Sequence, residues 1–219
     1  MDLPILFETP HLSVINKPNG LLVERDRHGY PSVEEWAQER WPFVGIVHRL
    51  DRPVSGVLLL ARKKSALKDL NRQFEARTVG KTYLAIVENP LPHLEGILEH
   101  WLVKDQKGKR SMVAEPGAKG AFFCSLGFRT LQALPSGLTL LEIKPHSGKF
   151  HQIRVQLAAS GCPIAGDEKY GASLPYQPDG IALHAWQLLF NEPPEGKPLL
   201  VKAPCPEHSL WRRFDYLHG

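Results

Sequence analysis

A cluster of charged side chains directly before the apolar run 57–61 is the first feature of this sequence that could perform chemistry. The cluster contains His48, Arg49, Asp51 and Arg52 within five residues. Neighbouring cations favour the ionised form of a carboxyl group. An ionised carboxylate held in place can act as a nucleophile, as a base or as one half of an ion pair. The spacing therefore marks Asp51 as a candidate catalytic group, with a structural ion pair as the alternative.

A second unusual charge is Arg154, which lies in the middle of the largely apolar segment 151–161. Helical spacing places Ile153 and Leu157 on one face of this segment, with His151 and Arg154 on another. A buried arginine needs a partner of opposite charge. Asp51 is the candidate partner that the sequence offers.

Two further basic features are candidates for contacts to an anion. The segment 104–120 interleaves its cations with glycine and polar residues, so it predicts an exposed hairpin or a flexible flap; the cations are Lys104, Lys107, Lys109, Arg110 and Lys119. In a nucleic-acid protein such a segment would neutralise phosphates. Lys17 lies in a turn with Pro18 and Gly20, either as a solvated residue or as a phosphate contact.

Hydrophobic patterning predicts the elements that would position these residues. Strands are expected near 12–16, 57–61, 81–87, 138–144 and 182–190, the second of them fully buried. Ser32 and Glu35 form a capping box for a helix to about Trp41, and Ser65 is the predicted N-cap of a helix to about Arg77. His184 is expected to be a hydrogen-bonded core residue, and 209–217 a short final helix.

Composition excludes several classes of protein. The chain carries a net charge of +4, which mildly favours an anionic partner such as nucleic acid. No run approaches 18 apolar residues, so no membrane span or membrane partner is expected. The three cysteines lack metal-ligand spacing and suit a reducing compartment, which predicts a cytoplasmic location. No repeat or flexible linker interrupts residues 1–219, so a single domain is expected.

Five motifs follow one another in an order that resembles the RluA-like pseudouridine synthases, from about Leu12 to Pro204. They are His48-Arg49-Leu50-Asp51 through Ser55-Gly56, Lys81-x-Tyr83, His151-Gln152-Ile153-Arg154, Gly166-Asp167 through Tyr170-Gly171, and Leu183-His184-Ala185. The early Asn16-Lys17-Pro18-x-Gly20 also fits the opening strand and turn of that family. Two positions depart from it: Val54 stands for the usual Thr, and Lys149 for the usual Arg.

The resemblance implies an α+β fold, with a mixed, mainly antiparallel central sheet, flanking helices and a catalytic cleft. It also implies isomerisation of uridine to pseudouridine in a tRNA or rRNA stem-loop, without cofactor or metal. The catalytic residues it indicates are Asp51, Tyr83 and Arg154, and the RNA-binding residues are Arg49, His48, Lys17, Lys81, Lys149 and His151. A cytoplasmic monomer is expected, without the small N-terminal S4-type RNA-binding domain that many members carry.

Two alternatives to this reading stay open at the level of sequence. Val54 lacks a hydroxyl and Lys149 lacks the planar fork of arginine, which suits an RNA-binding or folding factor with little turnover. A hydrolase that uses Asp51 and His48 as an acid–base pair is the other alternative.

Overall fold

The computed structural model describes residues 1–217. Within these residues the chain forms eleven β-strands and three α-helices. The strands are β1 (Ile5–Glu8), β2 (Leu12–Lys17), β3 (Gly45–Ile46), β4 (Ser55–Ala61), β5 (Gly80–Val87), β6 (Glu95–Asp105), β7 (Arg110–Ala114), β8 (Phe122–Ala133), β9 (Thr139–Pro145), β10 (Leu183–Glu192) and β11 (Lys197–Lys202). The helices are α1 (Val33–Gln38), α2 (Lys64–Glu75) and α3 (Gln152–Ala159).

These elements are divided between two compact units. The first contains Met1–Thr82, Pro178–Gly180 and His184–Pro206. The second contains Tyr83–Gln177, Ile181–Leu183 and the chain from Glu207 onward. The single domain over 1–219 that the sequence predicts stays a prediction.

In the first unit, β4 is the central strand. It pairs antiparallel with β2 and β3 and parallel with β10, while β1 pairs with β2 and β11 with β10, both antiparallel. All seven residues of β4 are buried, as expected for a strand that is covered on both faces. Leu70 of α2 and Leu59 of β4 belong to one apolar cluster, to which Phe190 of β10 also contributes. This packing fixes the strand that follows Asp51.

In the second unit, the strands pair antiparallel throughout. β5 pairs with β9, β9 with β8, β8 with β6, and β6 with β7. Helix α3 is buried from Gln152 to Leu157, so polar side chains on it must find protein partners. The mixed, mainly antiparallel pairing that the sequence predicts is confirmed.

The predicted helices differ from the observed ones mainly at their ends. The capping box is confirmed, since Glu35 N–H donates to Ser32 Oγ at 3.2 Å and Ser32 N–H to Glu35 Oε2 at 3.2 Å. The helix ends at Gln38 and not near Trp41. The predicted Ser65 N-cap is wrong, because α2 begins after Lys63 without any side-chain cap. The expected final helix is instead a pair of 3₁₀ turns, 211–213 and 215–217.

No helix within residues 1–217 is long and apolar enough to cross a bilayer. The predicted strands correspond to β2, β4, β5, β9 and β10, each within about two residues of its expected bounds. The exposed hairpin expected at 104–120 is confirmed as the turn between β6 and β7, on which Lys107 and Lys109 are exposed.

Candidate active site

Asp51 begins a turn that leads into β4. The N–H of Val54 donates to the carbonyl oxygen of Asp51 at 3.0 Å, which closes the four-residue turn 51–54. The Asp51 residue is half-buried, whereas Val54 is 3% exposed. The turn thus leaves a carboxylate at the surface end of a buried strand.

The buried side chain of Lys17 holds this turn from beneath. Its ammonium donates to the carbonyl oxygens of Pro18 (2.9 Å), Leu21 (2.8 Å) and Arg52 (3.2 Å). Lys17 is 0% exposed, and its three N–H bonds are all used within the protein. It is therefore an anchor for the backbone beside Asp51 and not a solvated turn residue. Its predicted phosphate contact gains no support from this geometry and stays a prediction.

Lys17 also interacts electrostatically with Asp51 inside the first unit. Burial lowers the pKa of Lys17 from 10.5 to about 7, while the attraction of Asp51 acts in the opposite direction and the charge of Arg52 lowers it further. A carboxylate near a desolvated ammonium is favoured in its anionic form. Lys17 therefore adds to the positive charge that the sequence places beside Asp51.

The two arginines that flank Asp51 each form an ion pair. Arg49 Nη1 pairs with Glu24 Oε2 at 2.8 Å, and its side chain is 67% exposed. Arg52 donates from Nε to the carbonyl oxygen of Gly20 at 3.0 Å and pairs with Asp179 at 3.3 Å. The ion pairs of Arg49 and Arg52 are thus with Glu24 and Asp179.

His48 ties the approach to the turn onto β4 and α2. Its Nε2 accepts the N–H of Leu59 at 3.1 Å, and its ring stacks on Phe74 with centroids 4.9 Å apart. Burial lowers the pKa of His48 to about 3, and the charge of Lys81 adds to this effect. A neutral ring adds no charge against a phosphate, so the predicted RNA contact of His48 gains no support from this geometry.

The Ser55-Gly56 and Leu183-His184-Ala185 motifs meet in the parallel pairing of β4 with β10. Ser55 Oγ and His184 Nδ1 lie 2.8 Å apart, and both residues are buried. Gly56 has φ +114°, and a Cβ there would lie 2.2 Å from the carbonyl oxygen of Ala185. Burial lowers the pKa of His184 to about 4. His184 is therefore the hydrogen-bonded core residue that the sequence predicts.

In the second unit, Arg154 forms a two-point ion pair with Asp167. Arg154 Nε lies 2.7 Å from Oδ2, and Nη2 lies 2.7 Å from Oδ1. The two side chains are 5% and 1% exposed. The sequence identified the need for a partner but missed Asp167, although this carboxylate stands in a glycine-punctuated loop of the motif set.

His151 completes the surroundings of Arg154. Arg154 Nη1 and His151 Nε2 lie 3.0 Å apart, and His151 Nδ1 lies 3.0 Å from the hydroxyl of Tyr170. The His151 residue is 9% exposed, and burial together with the charge of Arg154 lowers its pKa to about 3. A neutral ring with both nitrogens bonded inside the protein serves to hold Arg154, so the predicted RNA contact of His151 gains no support here and stays a prediction.

The remaining site residues occupy different environments. Tyr83 lies on β5 opposite Ile143 of β9 and is half-buried. Burial lowers the pKa of Lys81, with a further contribution from Arg77. Lys149 is exposed, and its ammonium lies 4.2 Å from the centroid of Phe122. The roles of these three residues stay predictions.

The comparison with protein-family models decides the identity of the chain. The model described as "RNA pseudouridylate synthase" matches residues 11–159. The chain belongs to this family. It is an RNA pseudouridine synthase, an isomerase, and Asp51, Tyr83 and Arg154 all fall within the matched residues.

Relatives among curated proteins and solved structures agree with the family. The dual-specificity RNA pseudouridine synthase RluA of Yersinia pestis is 33% identical over 91% of this chain and 97% of its own length. The ribosomal large subunit pseudouridine synthase C of Haemophilus influenzae is 35% identical over 94% of this chain, which spans only 66% of that relative. The solved structure of human RNA pseudouridylate synthase domain containing 1 has a TM-score of 0.77 at 25% identity and covers 94% of this chain and 84% of its own. The fold is that of the pseudouridine synthases.

Proposed function

We propose that this isomerase converts uridine in structured RNA to pseudouridine with Asp51 as its catalytic carboxylate. In this reaction the bond from uracil N1 to ribose C1′ breaks and a bond from C5 to C1′ forms. The hydrogen on C5 leaves as a proton and N1 gains one, so the mass of the RNA is unchanged. The reaction needs a carboxylate beside the sugar and the ring, and this role falls to Asp51.

The observation that carries the proposal is the anchoring of the Asp51 turn by Lys17. The attraction between Asp51 and the buried Lys17 favours the anionic carboxylate, and the bond from Lys17 to the carbonyl oxygen of Arg52 holds the backbone beside it. Catalytic groups act best when the surrounding protein holds their geometry before the substrate arrives. An ordinary surface aspartate would not require a lysine with three backbone partners behind it.

Arg154 and Tyr83 complete the proposed catalytic set. We assign Arg154 to hold Asp51 ionised and aimed, and Tyr83 to stack on the target base and assist proton transfer. Support for the first assignment is the rigid guanidinium of Arg154, which Asp167 fixes through two hydrogen bonds of 2.7 Å. Bidentate pairs of this kind restrict orientation as well as adding energy.

Arg49 is assigned to fill the gap that a flipped uridine leaves in the RNA. Flipping a base costs on the order of a few kcal/mol, and a planar guanidinium can offset part of it by stacking on neighbouring bases. Arg49 is free enough for this role, since its side chain is 67% exposed and its one ion pair is with the surface residue Glu24. An exposed ion pair of this type contributes at most about 1 kcal/mol, so RNA can displace it.

The RNA target belongs to the proposal as well. Relatives whose names specify the ribosomal large subunit or dual specificity for RNA support rRNA, tRNA or both as substrates. The exposed cations of the β6–β7 hairpin and Lys149 would contact the RNA backbone. The proposed enzyme works as a cytoplasmic monomer, which cell fractionation and sedimentation can test.

Tritium release from RNA labelled at uridine C5 tests the catalytic assignment. Wild-type protein should release tritium from cellular RNA of a strain without the gene, and Asp51→Asn should release none while it binds that RNA normally. Release by Asp51→Asn at the wild-type rate would remove Asp51 from the reaction. Binding without release by the wild type would favour an RNA-folding factor, and free uracil in the mixture would favour a hydrolase. Mapping pseudouridine in total RNA with and without the gene identifies the target.

A further inference from the structure

A chain of hydrogen bonds in the second unit connects the β6–β7 hairpin to Arg154. The N–H of Ser111 donates to the Tyr170 hydroxyl at 2.8 Å, and that hydroxyl donates to the Ser111 carbonyl oxygen at 3.2 Å. Tyr170 Oη then meets His151 Nδ1 at 3.0 Å, and His151 Nε2 meets Arg154 Nη1 at 3.0 Å. We call Ser111, Tyr170, His151 and Arg154 the hydrogen-bond chain.

The direction of each bond in the hydrogen-bond chain follows from its two ends. A guanidinium only donates, so His151 Nε2 must accept from Arg154. The pKa of His151 is lowered to about 3, so its ring is neutral at pH 7 and carries its proton on Nδ1. That proton is donated to Tyr170 Oη, which accepts two hydrogen bonds and donates one. The chain therefore specifies one tautomer of His151.

Burial strengthens the hydrogen bonds that hold Arg154 in position. Ser111, His151 and Arg154 are 4%, 9% and 4% exposed, and hydrogen bonds are stronger in such surroundings than in water. Asp167 fixes the Nε and Nη2 edge of the guanidinium. The bond to His151 fixes the third nitrogen, Nη1, and with it the tilt of the guanidinium plane.

The other end of the chain lies in the strand that carries the basic hairpin. Ser111 is opposite Lys104 in the β6–β7 pairing, and the exposed Lys107 lies in the turn between these strands. A second bond joins the same parts, since Lys169, adjacent to Tyr170, donates to the carbonyl oxygen of Lys109 at 3.2 Å. A shift of the hairpin would therefore move Tyr170 and, through His151, the guanidinium of Arg154.

We propose that Tyr170 and His151 are positioning residues that couple the engagement of RNA phosphates by the β6–β7 hairpin to the orientation of Arg154. This inference rests on the proposed function, since it takes Arg154 to be part of the catalytic set. Neither positioning residue touches the uridine in this scheme. RNA held by the hairpin fixes Ser111, and the hydrogen-bond chain then holds Arg154 in its productive orientation.

Tyr170→Phe tests the proposal because it removes the hydroxyl and keeps the ring beneath Arg154. Tyr176→Phe is the matched control: its hydroxyl accepts a hydrogen bond from Trp211 at 2.8 Å, in the same unit but outside the hydrogen-bond chain. Tritium release is measured in single turnover with excess protein, on 5-tritiated-uridine RNA from a strain without the gene. The maximum rate reports the chemical step, and the half-saturating protein concentration reports binding.

The expected result is a maximum rate roughly three- to tenfold lower in Tyr170→Phe, the range that one lost hydrogen bond covers. The half-saturating concentration should stay within about twofold, and Tyr176→Phe should keep the wild-type rate. An unchanged maximum rate in Tyr170→Phe, or an equal loss in Tyr176→Phe, would overturn the proposal.

Coupling to the hairpin is tested by a double-mutant cycle with Lys107→Gln. In the wild-type background this change should lower the maximum rate as well as the affinity. In the Tyr170→Phe background it should lower only the affinity, because the connection is already broken. Independent, multiplicative effects on the maximum rate would contradict the coupling.

A readout that does not need activity separates this inference from the proposed function. The ¹⁵N signals of the His151 ring, assigned by their loss in His151→Asn, should show the neutral Nδ1–H tautomer in wild-type protein at pH 7. Tyr170→Phe should shift the ring away from that tautomer. Finding the Nε2–H form in the wild type would overturn the hydrogen-bond chain and with it this inference. Absence of tritium release with the Nδ1–H form present would overturn the proposed function and leave the hydrogen-bond chain as a structural feature without a catalytic role.

Discussion

The ammonium of Lys17 lies 3.2 Å from the carbonyl oxygen of Arg52, the residue that directly follows Asp51. The same carbonyl accepts the N–H of Gly20 at 2.9 Å. The backbone beside the candidate catalytic carboxylate is therefore fixed by the turn that follows β2, some thirty residues earlier in the chain. This relationship makes Lys17 important without any contact to RNA.

Replacing Lys17 by Met should destabilise the protein and lower its turnover. The substitution keeps much of the side-chain volume but removes the ammonium donor from the carbonyl oxygens of Pro18 and Leu21. The carbonyl oxygen of Arg52 then keeps only the N–H of Gly20. We expect a loss of about 2–4 kcal/mol in the free energy of unfolding, measured by urea titration, and a fall in tritium release at temperatures where the variant is folded.

Lys68→Met is the matched control for that change. Lys68 lies exposed on α2, so its replacement should alter the free energy of unfolding by no more than about 0.5 kcal/mol. Equal stability of the two variants would show that the carbonyl contacts of Lys17 contribute nothing.

Gly56→Ala should prevent the normal pairing of β4 with β10. The added Cβ would lie 2.2 Å from the Ala185 carbonyl oxygen, and the φ of +114° is strained for any L side chain. Gly29→Ala separates the two causes, since Gly29 has φ +73° and no atom within 4 Å of the added Cβ. We expect about 1 kcal/mol of destabilisation for Gly29→Ala and several times more for Gly56→Ala by chemical denaturation. Similar losses in the two variants would remove the close approach of β10 as the reason for glycine at 56.

The sequence predicted the strands well because burial leaves a local signature. The uninterrupted apolar run 57–61 requires cover on both faces, and β4 has it. The Ser32 capping box was equally local and is present. Ser65 is not the N-cap because α2 begins one position before it. Local propensity does not determine the exact first residue of a helix.

The site was predictable in its residues but not in its pairings. The sequence showed that Arg154 needs a carboxylate, but several were available, and only tertiary structure selects Asp167. Lys17 looked like a solvated turn residue, since its neighbours Pro18 and Gly20 are typical of exposed turns. Its burial depends on carbonyl groups from residue 52, which no local pattern reveals.

Stability should fall as the pH is lowered from 6.5 towards 4. The pKa values of His48 and His151 are lowered to about 3, and that of His184 to about 4. In this pH range the unfolded chain takes up protons that the folded protein does not. Each histidine with a lowered pKa therefore reduces the free energy of unfolding as the pH falls. The limiting slope is about 1.4 kcal/mol per pH unit for each histidine.

Urea titrations between pH 7 and pH 5 measure this slope. That pH window lies above the range where most carboxylates titrate. His48→Gln should flatten it, whereas replacement of the exposed His93 by Gln should leave it unchanged. A wild-type stability that is constant from pH 7 to pH 5 would contradict the neutral state of the three rings.

Arg154→Lys should reduce turnover strongly while leaving RNA affinity nearly intact. Lysine keeps the charge but cannot form the two-point pair with Asp167 and the bond to His151 together, since it lacks a planar fork. We expect the single-turnover rate of tritium release to fall at least about tenfold, with the half-saturating protein concentration changed by less than about twofold. Arg129→Lys is the control, because Arg129 pairs with Glu142 at 3.5 Å on an exposed strand position and should keep the wild-type rate. Wild-type turnover in Arg154→Lys would take Arg154 out of the catalytic set, and a parallel loss in both affinity and rate would assign it to RNA binding instead.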